Sequence, residues 1–372
     1  MGIDKPTLIL HIAPFNVAGV PLSFVKAERA LGYYSRLITL GQTQQKREED
    51  LSLDLPLLNS PITRLGKFVA TPADRRIIDN KKKTPKTIPI TWEANGILEN
   101  SLVKAREFFW RPIISNFLKS FNLFEFDIIQ LDGGLGFFRD SHLIQQLKQS
   151  GKKLICCYTG SDLRTRGVIP TIDRLSDLNV TVEFDHLQYH PNIHHVPFPS
   201  DLSFFTRFKK AKADKKEIII GHAPTNRLAK GSDVIIRVVQ ELASRYPIHL
   251  ELIENLPYET ALEKKADCDL FIDQLGDLGY GMNGVESLAL GIPTFTSIVT
   301  GFDKIYPDHP FIAVDECTLR EKLEFYIIHT EQRLQKGIEG MQWVQKTHDA
   351  ISVVKKIHNL VYQHTGFYYE HN

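Results

Sequence analysis

"EIIIGHAPTNRLAKGSDVIIRVVQEL" runs from Glu217 to Leu242, and its two ends follow different periods. Glu217 to Gly221 is a short apolar run without alternation, the pattern of a strand covered on both faces, as in a parallel sheet. Further on, Ile235, Val238, Val239 and Leu242 recur at i, i+3, i+4 and i+7, the buried stripe of a helix. Ser232 or Asp233 is placed to cap that helix. Between the two lies "HAPTNRLAKGSD" (His222 to Asp233), which sets Arg227 and Lys230 at a strand's carboxyl end beside a helix N-terminus. Such an end already offers unpaired N–H groups and about half a positive charge. Two cations added to it suit a strongly anionic group such as a diphosphate. Arginine can bind two oxygens at once, whereas lysine acts as a point charge. A basic surface loop is the plain alternative for the same spacing.

Strand and helix patterns alternate on both sides of this stretch. "TLILHIA" (Thr7 to Ala13) reads as a buried strand, "PFNVAGVP" as a turn-rich loop, and Phe24, Ala27 and Leu31 as a helix that stops at Gly32. "SRLITLG" is the next strand. Residues 42–60 read as loop, and "NKKKTPK" (Asn80 to Lys86) as a charged loop. "ILENSLVKAREFFWRPIISNFLKSF" (Ile97 to Phe121) is helical, with a kink or break at Pro112. "FDIIQLDGG", "KKLICCYTGSD", "VTVEF" and "IHHVPFP" supply further strands. "SDLSFFTRFKKAKADKK" is a connector. The second series has the strands "EIIIGHAP", "HLELIE", "DLFIDQ", "PTFTSI" and "FIAV", then a mostly helical tail from Leu319. Two such series predict an α/β protein of two Rossmann-like domains facing a cleft, with ligands beyond the carboxyl ends of the strands. The expected boundaries are residues 1–199, 216–345 and a helical tail over 346–372.

Composition fits this reading. The 372 residues are 42% hydrophobic and 24% charged, the balance of a soluble globular protein. A net charge of +1 does not suggest wholesale nucleic-acid binding. Residues 1–200 carry 25 Lys+Arg against 20 Asp+Glu and the remainder 20 against 24, a mild basic tilt toward an anionic acceptor or a membrane surface in the first half. Cys156, Cys157, Cys268 and Cys317 form no CxxC and read as buried thiols in a reducing compartment. The start "MGIDKPTLILHIAP" lacks the pattern of a secretory signal. No run approaches the roughly 18 apolar residues of a membrane span. A cytoplasmic protein is expected; the aromatic and basic "REFFWRPIISNF" reads first as core packing, with peripheral membrane contact or a hold on a lipid-linked acceptor as the alternative.

"GDLGYGMNGVESLALGIP" (Gly276 to Pro293) carries a second signal. Gly279, Gly281 and Gly284 let backbone approach a ligand. Asn283 is placed to cap a short helix with Val285, Leu288 and Ala289 on its apolar face. Glu286 is then expected in the first turn, where a carboxylate can accept from ribose hydroxyls or simply complement the helix dipole.

Together these stretches resemble the retaining glycosyltransferases of family four, which have the two-domain GT-B fold. Their signature E-G-F-G-L-x-x-x-E-A-x-A-x-G-x-P is similar to "LGYGMNGVESLALGIP", with Gly279, Tyr280, Gly281, Met282, Glu286, Ala289, Gly291 and Pro293 in matching positions. The family's Arg and Lys-Gly match Arg227 and Lys230-Gly231, and "NVAGVP" resembles its first glycine loop. The resemblance covers residues 217–300 best. It implies sugar transfer with retention, from a nucleoside diphosphate sugar, a UDP-sugar before a GDP-sugar, to a saccharide, lipid-linked or other hydroxyl acceptor. No cofactor or metal is implied. Arg227, Lys230 and Glu286 would be the catalytic set, with Asn226, His222, Gly281, Met282, Asn283 and Asp277 around the donor. Residues 1–199 would hold the acceptor; the candidates, each just past a predicted strand, are Asn16, Gly19, Asp132, Gly133, Thr159, Asp162 and Arg164, any one of which could instead cap its loop, and the tail would pack back on that domain. Leu278 replaces the glutamate that contacts the donor sugar, with Asp277 and Asp273 nearby, and "TGSD" replaces a histidine after the "LICCY" strand. These departures favour a second reading, a catalytically impaired nucleotide-sugar-binding partner or regulator. "DCD" (Asp267 to Asp269) reads as structural, and His186, His190, His194 and His195 match no zinc spacing.

Overall fold

The computed structural model describes residues 6–43, 45, 47–58, 88–94, 96–208, 217–276 and 278–370. The chain divides into two units. The first comprises Met1–Thr43, Arg47–Val196 and Val354–Asn372, and the second Gln44–Lys46 and Pro197–Val353.

The first unit is built on a parallel sheet of β1 (Leu8–Ala13), β2 (Tyr34–Thr39), β3 (Leu51–Ser52), β4 (Ile128–Asp132), β5 (Lys153–Tyr158), β6 (Leu178–Thr181) and β7 (His194–His195). Their spatial order is β3-β2-β1-β4-β5-β6-β7, and every pairing is parallel. The order reverses between β1 and β4, which places a topological switch point at their carboxyl ends. Leu10, Ile12, Ile129, Leu131 and Leu154 from these strands form one core with Trp110 and Ile114 of the helix Gly96–Ser120. Each such side chain contributes about 1.5–3 kcal/mol on full burial.

The second unit repeats the plan with β8 (Ile218–His222), β9 (Ile248–Leu252), β10 (Leu270–Gln274), β11 (Thr294–Thr296) and β12 (Ile312–Ala313). The order is β12-β11-β10-β8-β9, again all parallel. Its switch point lies between β8 and β10. Ile220, Ile235, Val239, Leu270, Ile272 and Phe295 fill the core, so the stripe read from Ile235 to Leu242 does face the sheet. The chain therefore has two Rossmann-like parallel-sheet units.

Some local expectations need correction. The helix Gly96–Ser120 passes through Pro112 without a break. The carbonyl that Pro112 leaves unpaired belongs to Phe108, an exposed residue whose backbone water can serve. In that helix Trp110 is buried, while Phe108 and Phe109 are exposed rather than packed in the core. The 42–60 segment includes the short strand β3, paired with β2 at Ile38 and Thr39. Cys317 is exposed, unlike the other three cysteines. "NKKKTPK" lies outside the described residues. No helix among the described residues is long and apolar enough to cross a membrane.

Candidate functional site

In the second unit the segment after β8 forms a one-turn helix, Arg227–Lys230, followed by the helix Ser232–Ala243. Asn226 caps the turn, its Oδ1 accepting from Ala229 N at 3.1 Å. Gly231 closes it at φ +68°, a left-handed conformation that favours glycine. Ser232 and Asp233 were expected to cap the longer helix, but neither side chain does, because Gly231 holds the N-cap position. Ser232 Oγ instead meets His222 Nε2 at 2.8 Å, while His222 Nδ1 meets the Ile272 carbonyl at 2.8 Å. Both ring nitrogens of this fully buried histidine are thus engaged with protein, and burial lowers its pKa. His222 ties β8 to β10 and fixes the start of the helix.

The two cations are held by carboxylates. Lys230 Nζ donates to Asp273 Oδ1 at 2.8 Å, and Asp273, at the end of β10, is buried. Asp273 Oδ2 accepts from Gly281 N at 2.8 Å. One carboxylate therefore gathers the lysine and the N-cap of the helix Met282–Ala289 into a single spot. The N–H groups of Met282 and Asn283 precede that helix's first backbone bonds, which run from Gly284 and Val285 to Gly281 O. A Cβ on Gly281 would stand 3.7 Å from Lys230 Nζ, a measure of how closely the loop backbone passes the ammonium. Arg227 forms a fork with Glu254, Nε to Oε1 at 2.8 Å and Nη2 to Oε2 at 2.5 Å, and its side chain remains half exposed. The fork raises the Arg227 pKa and lowers that of Glu254.

Glu286 lies in the second turn of Met282–Ala289, not the first, because the helix begins at Met282 and Gly281 is its N-cap. Asn283 likewise sits inside the helix. Its Nδ2 donates to the Ala223 carbonyl at 2.9 Å, and its Oδ1 accepts from Lys265 Nζ at 2.9 Å. Lys265 also donates to Glu286 Oε2 at 2.6 Å, with both side chains nearly inaccessible (2% and 3%). Asp277 lies outside the described residues. Sequence reasoning missed Lys265 and Glu254. Lys265 had one signal: it follows buried Leu262 by three residues on the helix Tyr258–Ala266, a lysine in an apolar row. Glu254 had only its place just after β9. The "DCD" aspartates are structural in part, since Asp269 Oδ2 accepts from Ile219 N at 2.9 Å.

The acceptor candidates of the first unit cluster at the carboxyl ends of β1, β4 and β5. Asn16 is buried, with Nδ2 donating to the Glu48 carbonyl at 2.8 Å and Oδ1 accepting from Leu22 N at 3.3 Å. Gly19 has φ +76° and caps the helix Val20–Ala30. Asp132 is buried in a charged chain: His11 Nδ1 meets its Oδ2 at 3.0 Å, and His11 Nε2 meets Glu28 Oε2 at 3.0 Å. Burial opposes the charge on His11, yet Glu28 and Asp132 raise its pKa to about 10. Burial likewise opposes the charge on Glu28, but His11 lowers its pKa to about 2. Gly133 adopts φ +87° in the turn after β4. Asp162 gathers Thr159 N (2.8 Å), Gly160 N (2.9 Å) and Leu163 N (2.8 Å), with Thr159 Oγ1 at 3.3 Å. Arg164 forks onto Asp185 and reaches Glu183 at 2.7 Å, and against the cost of burial these carboxylates raise its pKa. His186 bonds Thr181 Oγ1 at 2.7 Å and the Gly160 carbonyl at 2.9 Å. Among the described residues no three His, Cys, Asp or Glu side chains come together as metal ligands would.

No family model and no curated protein sequence matches the chain. Solved structures match in fold. HepE from Anabaena, in complex with UDP, aligns with a TM-score of 0.54 at 11% identity, over 96% of this chain and 100% of that one. An α-glucosyltransferase in complex with UDP and a mismatched 13-mer DNA aligns with a TM-score of 0.60 at 10% identity, over 96% and 100%. Sucrose-phosphate synthase from Thermosynechococcus elongatus aligns with a TM-score of 0.57 at 12% identity, over 96% and 98%. At such identities the likeness is one of architecture: the two parallel-sheet units are those of GT-B type proteins.

Proposed function

We propose that this chain is a glycosyltransferase that takes a nucleoside diphosphate sugar in its second unit and moves the sugar to an acceptor hydroxyl. The observation that carries the reading is the convergence of Lys230 Nζ and the Gly281 N–H on one point at the switch of the second sheet. A lysine ammonium has three donors, and Asp273 takes one. The remaining donors, with the N–H groups of Met282 and Asn283, form a frame for a diphosphate. Arg227, half exposed beside them, adds a second cation. The UDP named with HepE and with the α-glucosyltransferase supports the same ligand class and favours uracil as the base.

In the reaction, the bond from the anomeric carbon to the diphosphate breaks and the bond to the acceptor oxygen forms. The acceptor proton passes to the departing phosphate oxygen when attack comes from the leaving-group face, which retains configuration and needs no carboxylate nucleophile. Lys230, Arg227 and the helix N-terminus stabilise the charge that develops on the leaving group. Removing one such preorganised donor typically costs about 3–4 kcal/mol of transition-state stabilisation. Glu286 reaches a ribose only alongside Lys265, so the two act as a pair that sets the helix and the nucleoside together. His222 positions rather than touches. The cations and helix end supply what a metal would, so the site as proposed takes no metal or cofactor. The acceptor would be a saccharide or lipid-linked hydroxyl near Asn16, Gly19, Gly133 and Thr159, with Asp132, Asp162 and Arg164 shaping those loops. A cytoplasmic location is part of the proposal.

Leu278 favours one other reading, a nucleotide-sugar-binding regulator without turnover. Incubating the full chain with UDP-sugars and candidate acceptors separates the two. Release of UDP that depends on an acceptor supports transfer, binding without release supports the regulator, and absence of nucleotide binding refutes both.

A further inference from the structure

Arg106 and Arg166 of the first unit lie near enough to Arg139 for their charges to act on it, and Arg106 and Arg139 carry buried N–H groups without an acceptor. Arg139 follows the turn at the carboxyl end of β4, Arg166 follows β5, and Arg106 comes from the helix Gly96–Ser120. Arg139 lies over the Trp92 ring at 4.7 Å, and Arg106 over the Trp110 ring at 4.5 Å. Nε and Nη1 of Arg139 and Nε of Arg106 are buried with no hydrogen-bond acceptor. Arg166 Nε donates to the Gly167 carbonyl at 3.1 Å and its Nη2 to the Gly133 carbonyl, so both contacts are to neutral groups. Burial, then Arg106 and Arg166, lower the Arg139 pKa to about 10.

Among the described residues, the carboxylates near these arginines are already engaged in part. Glu107 Oε1 accepts from the backbone N of Arg139 at 3.1 Å, and burial raises the Glu107 pKa. Asp140 is taken by Arg111 at 2.7 Å. Glu99 is a further acid whose field reaches Arg139. Buried guanidinium N–H groups left without acceptors are costly, and a bound anion is one way to complete them. All three residues retain partial exposure, so a ligand has a route to them. Their place beyond the carboxyl ends of β4 and β5 is also where open parallel sheets bind ligands.

We propose that Arg106, Arg139 and Arg166 form a site for a phosphate group, carried by the molecule that receives the sugar. The anion-binding part stands on the first unit alone; only the role as acceptor rests on the glycosyltransferase reading. Phosphate fits because it offers several oxygens to several guanidinium groups at once, and each arginine can bind two. The carrier is either a soluble sugar phosphate or a lipid phosphate.

Calorimetric titration of the full chain with inorganic phosphate and with glucose 6-phosphate tests the site, beside flotation with phosphatidylcholine vesicles with and without phosphatidic acid. UDP is titrated in parallel. The expected result is phosphate binding that Arg139→Gln and Arg166→Gln each weaken by about tenfold or more. The thermal midpoint should be unchanged or raised, since each substitution removes a poorly compensated charge. Lys230→Ala should keep the arginine-dependent binding. Glucose 6-phosphate binding without flotation assigns a soluble carrier, and flotation that requires both phosphatidic acid and Arg139 assigns a lipid. Should Arg139→Gln fail to fold, Arg166→Gln and Arg106→Gln carry the same comparison. Absence of phosphate binding in every arm overturns the proposal. So does binding in Lys230→Ala that survives the arginine substitutions, or binding that is lost only in Lys230→Ala. Absence of UDP binding with arginine-dependent phosphate binding intact would refute the donor reading and leave this site standing.

Discussion

Replacing Lys265 with methionine is expected to destabilise the second unit strongly. The substitution keeps most of the side-chain volume and removes the ammonium. It leaves the Glu286 carboxylate, 3% exposed, without its 2.6 Å partner. It also removes the 2.9 Å bond to Asn283 Oδ1 and the ammonium lying 5.0 Å from the centre of the Phe271 ring. Breaking a buried ion pair by deleting one partner costs about 3–5 kcal/mol. The other two contacts move the expectation to the upper part of that range, roughly 4–5 kcal/mol. A unit of this size loses about 2–4 °C of melting temperature per kcal/mol, so the midpoint should fall by roughly 8–20 °C. Urea unfolding followed by circular dichroism measures this directly. Removing both charges in Lys265→Met with Glu286→Leu should recover most of the loss, because a buried pair replaced by apolar groups is often neutral. The cycle of single and double variants should then show a coupling of about 3 kcal/mol. If Lys265→Met costs under about 1 kcal/mol and the double variant gains nothing, Glu286 is not held by Lys265 and the account of this helix is wrong.

Other expectations follow from the same geometry. Gly281→Ala is sterically open, because its Cβ would meet Lys230 Nζ at 3.7 Å and Asp273 Oδ2 at 3.8 Å, both ordinary contacts. Gly281 has φ −120°, which any residue adopts. Stability should change by less than about 1 kcal/mol, while UDP binding, measured by calorimetry, should weaken because a methyl group enters the phosphate frame. The first unit should lose stability on the alkaline side. His11 titrates near 6.5 when unfolded and near 10 when folded, so its contribution is complete below 6.5 and disappears as pH rises through 10. Glu28 works in the other direction, its contribution complete above 4.5 and lost as pH falls toward 2. Thermal melts across this range should show that alkaline decline in the parent and a weaker one in His11→Gln. His348, which bonds the Phe198 carbonyl at 2.8 Å, is kept neutral by burial, with its pKa lowered to about 4. Its contribution is present above 6.5 and lost as pH falls toward 4, so His348→Gln should flatten the acid side of the melting profile.

The architecture was legible because the central strands read as short apolar runs and helices such as Ser232–Ala243 as 3.6-residue stripes, whereas β3 and the one-turn helix Arg227–Lys230 are too short to carry either signal. "EIIIG" became β8 and "DLFIDQ" became β10, and the switch between them was where two unusual loops met. The loops themselves were readable as places but not as bonding patterns. Asn226 and Gly231, rather than Ser232 or Asp233, shape the turn around Lys230, because a one-turn helix separates β8 from the longer one. The partners of the charged residues were hidden for a physical reason. Glu254, Asp273 and Lys265 lie 27, 43 and 21 positions from Arg227, Lys230 and Glu286, separations at which no local pattern links two residues. The same holds for His11, which periodicity shows only as one residue of a strand, while its two carboxylate partners stand 17 and 121 positions away.

The central claim is that Lys230 and the start of the helix Met282–Ala289 hold a diphosphate. Calorimetric titration of UDP, UMP and uridine into the full chain and into Lys230→Met tests it most directly. The account predicts that the parent binds UDP more tightly than uridine. Lys230→Met should lose about 1.5–3 kcal/mol of UDP affinity, the worth of a hydrogen bond to a charged group, with little change for uridine. Equal affinities for UDP in the two proteins, or no preference for UDP over uridine in the parent, would contradict it.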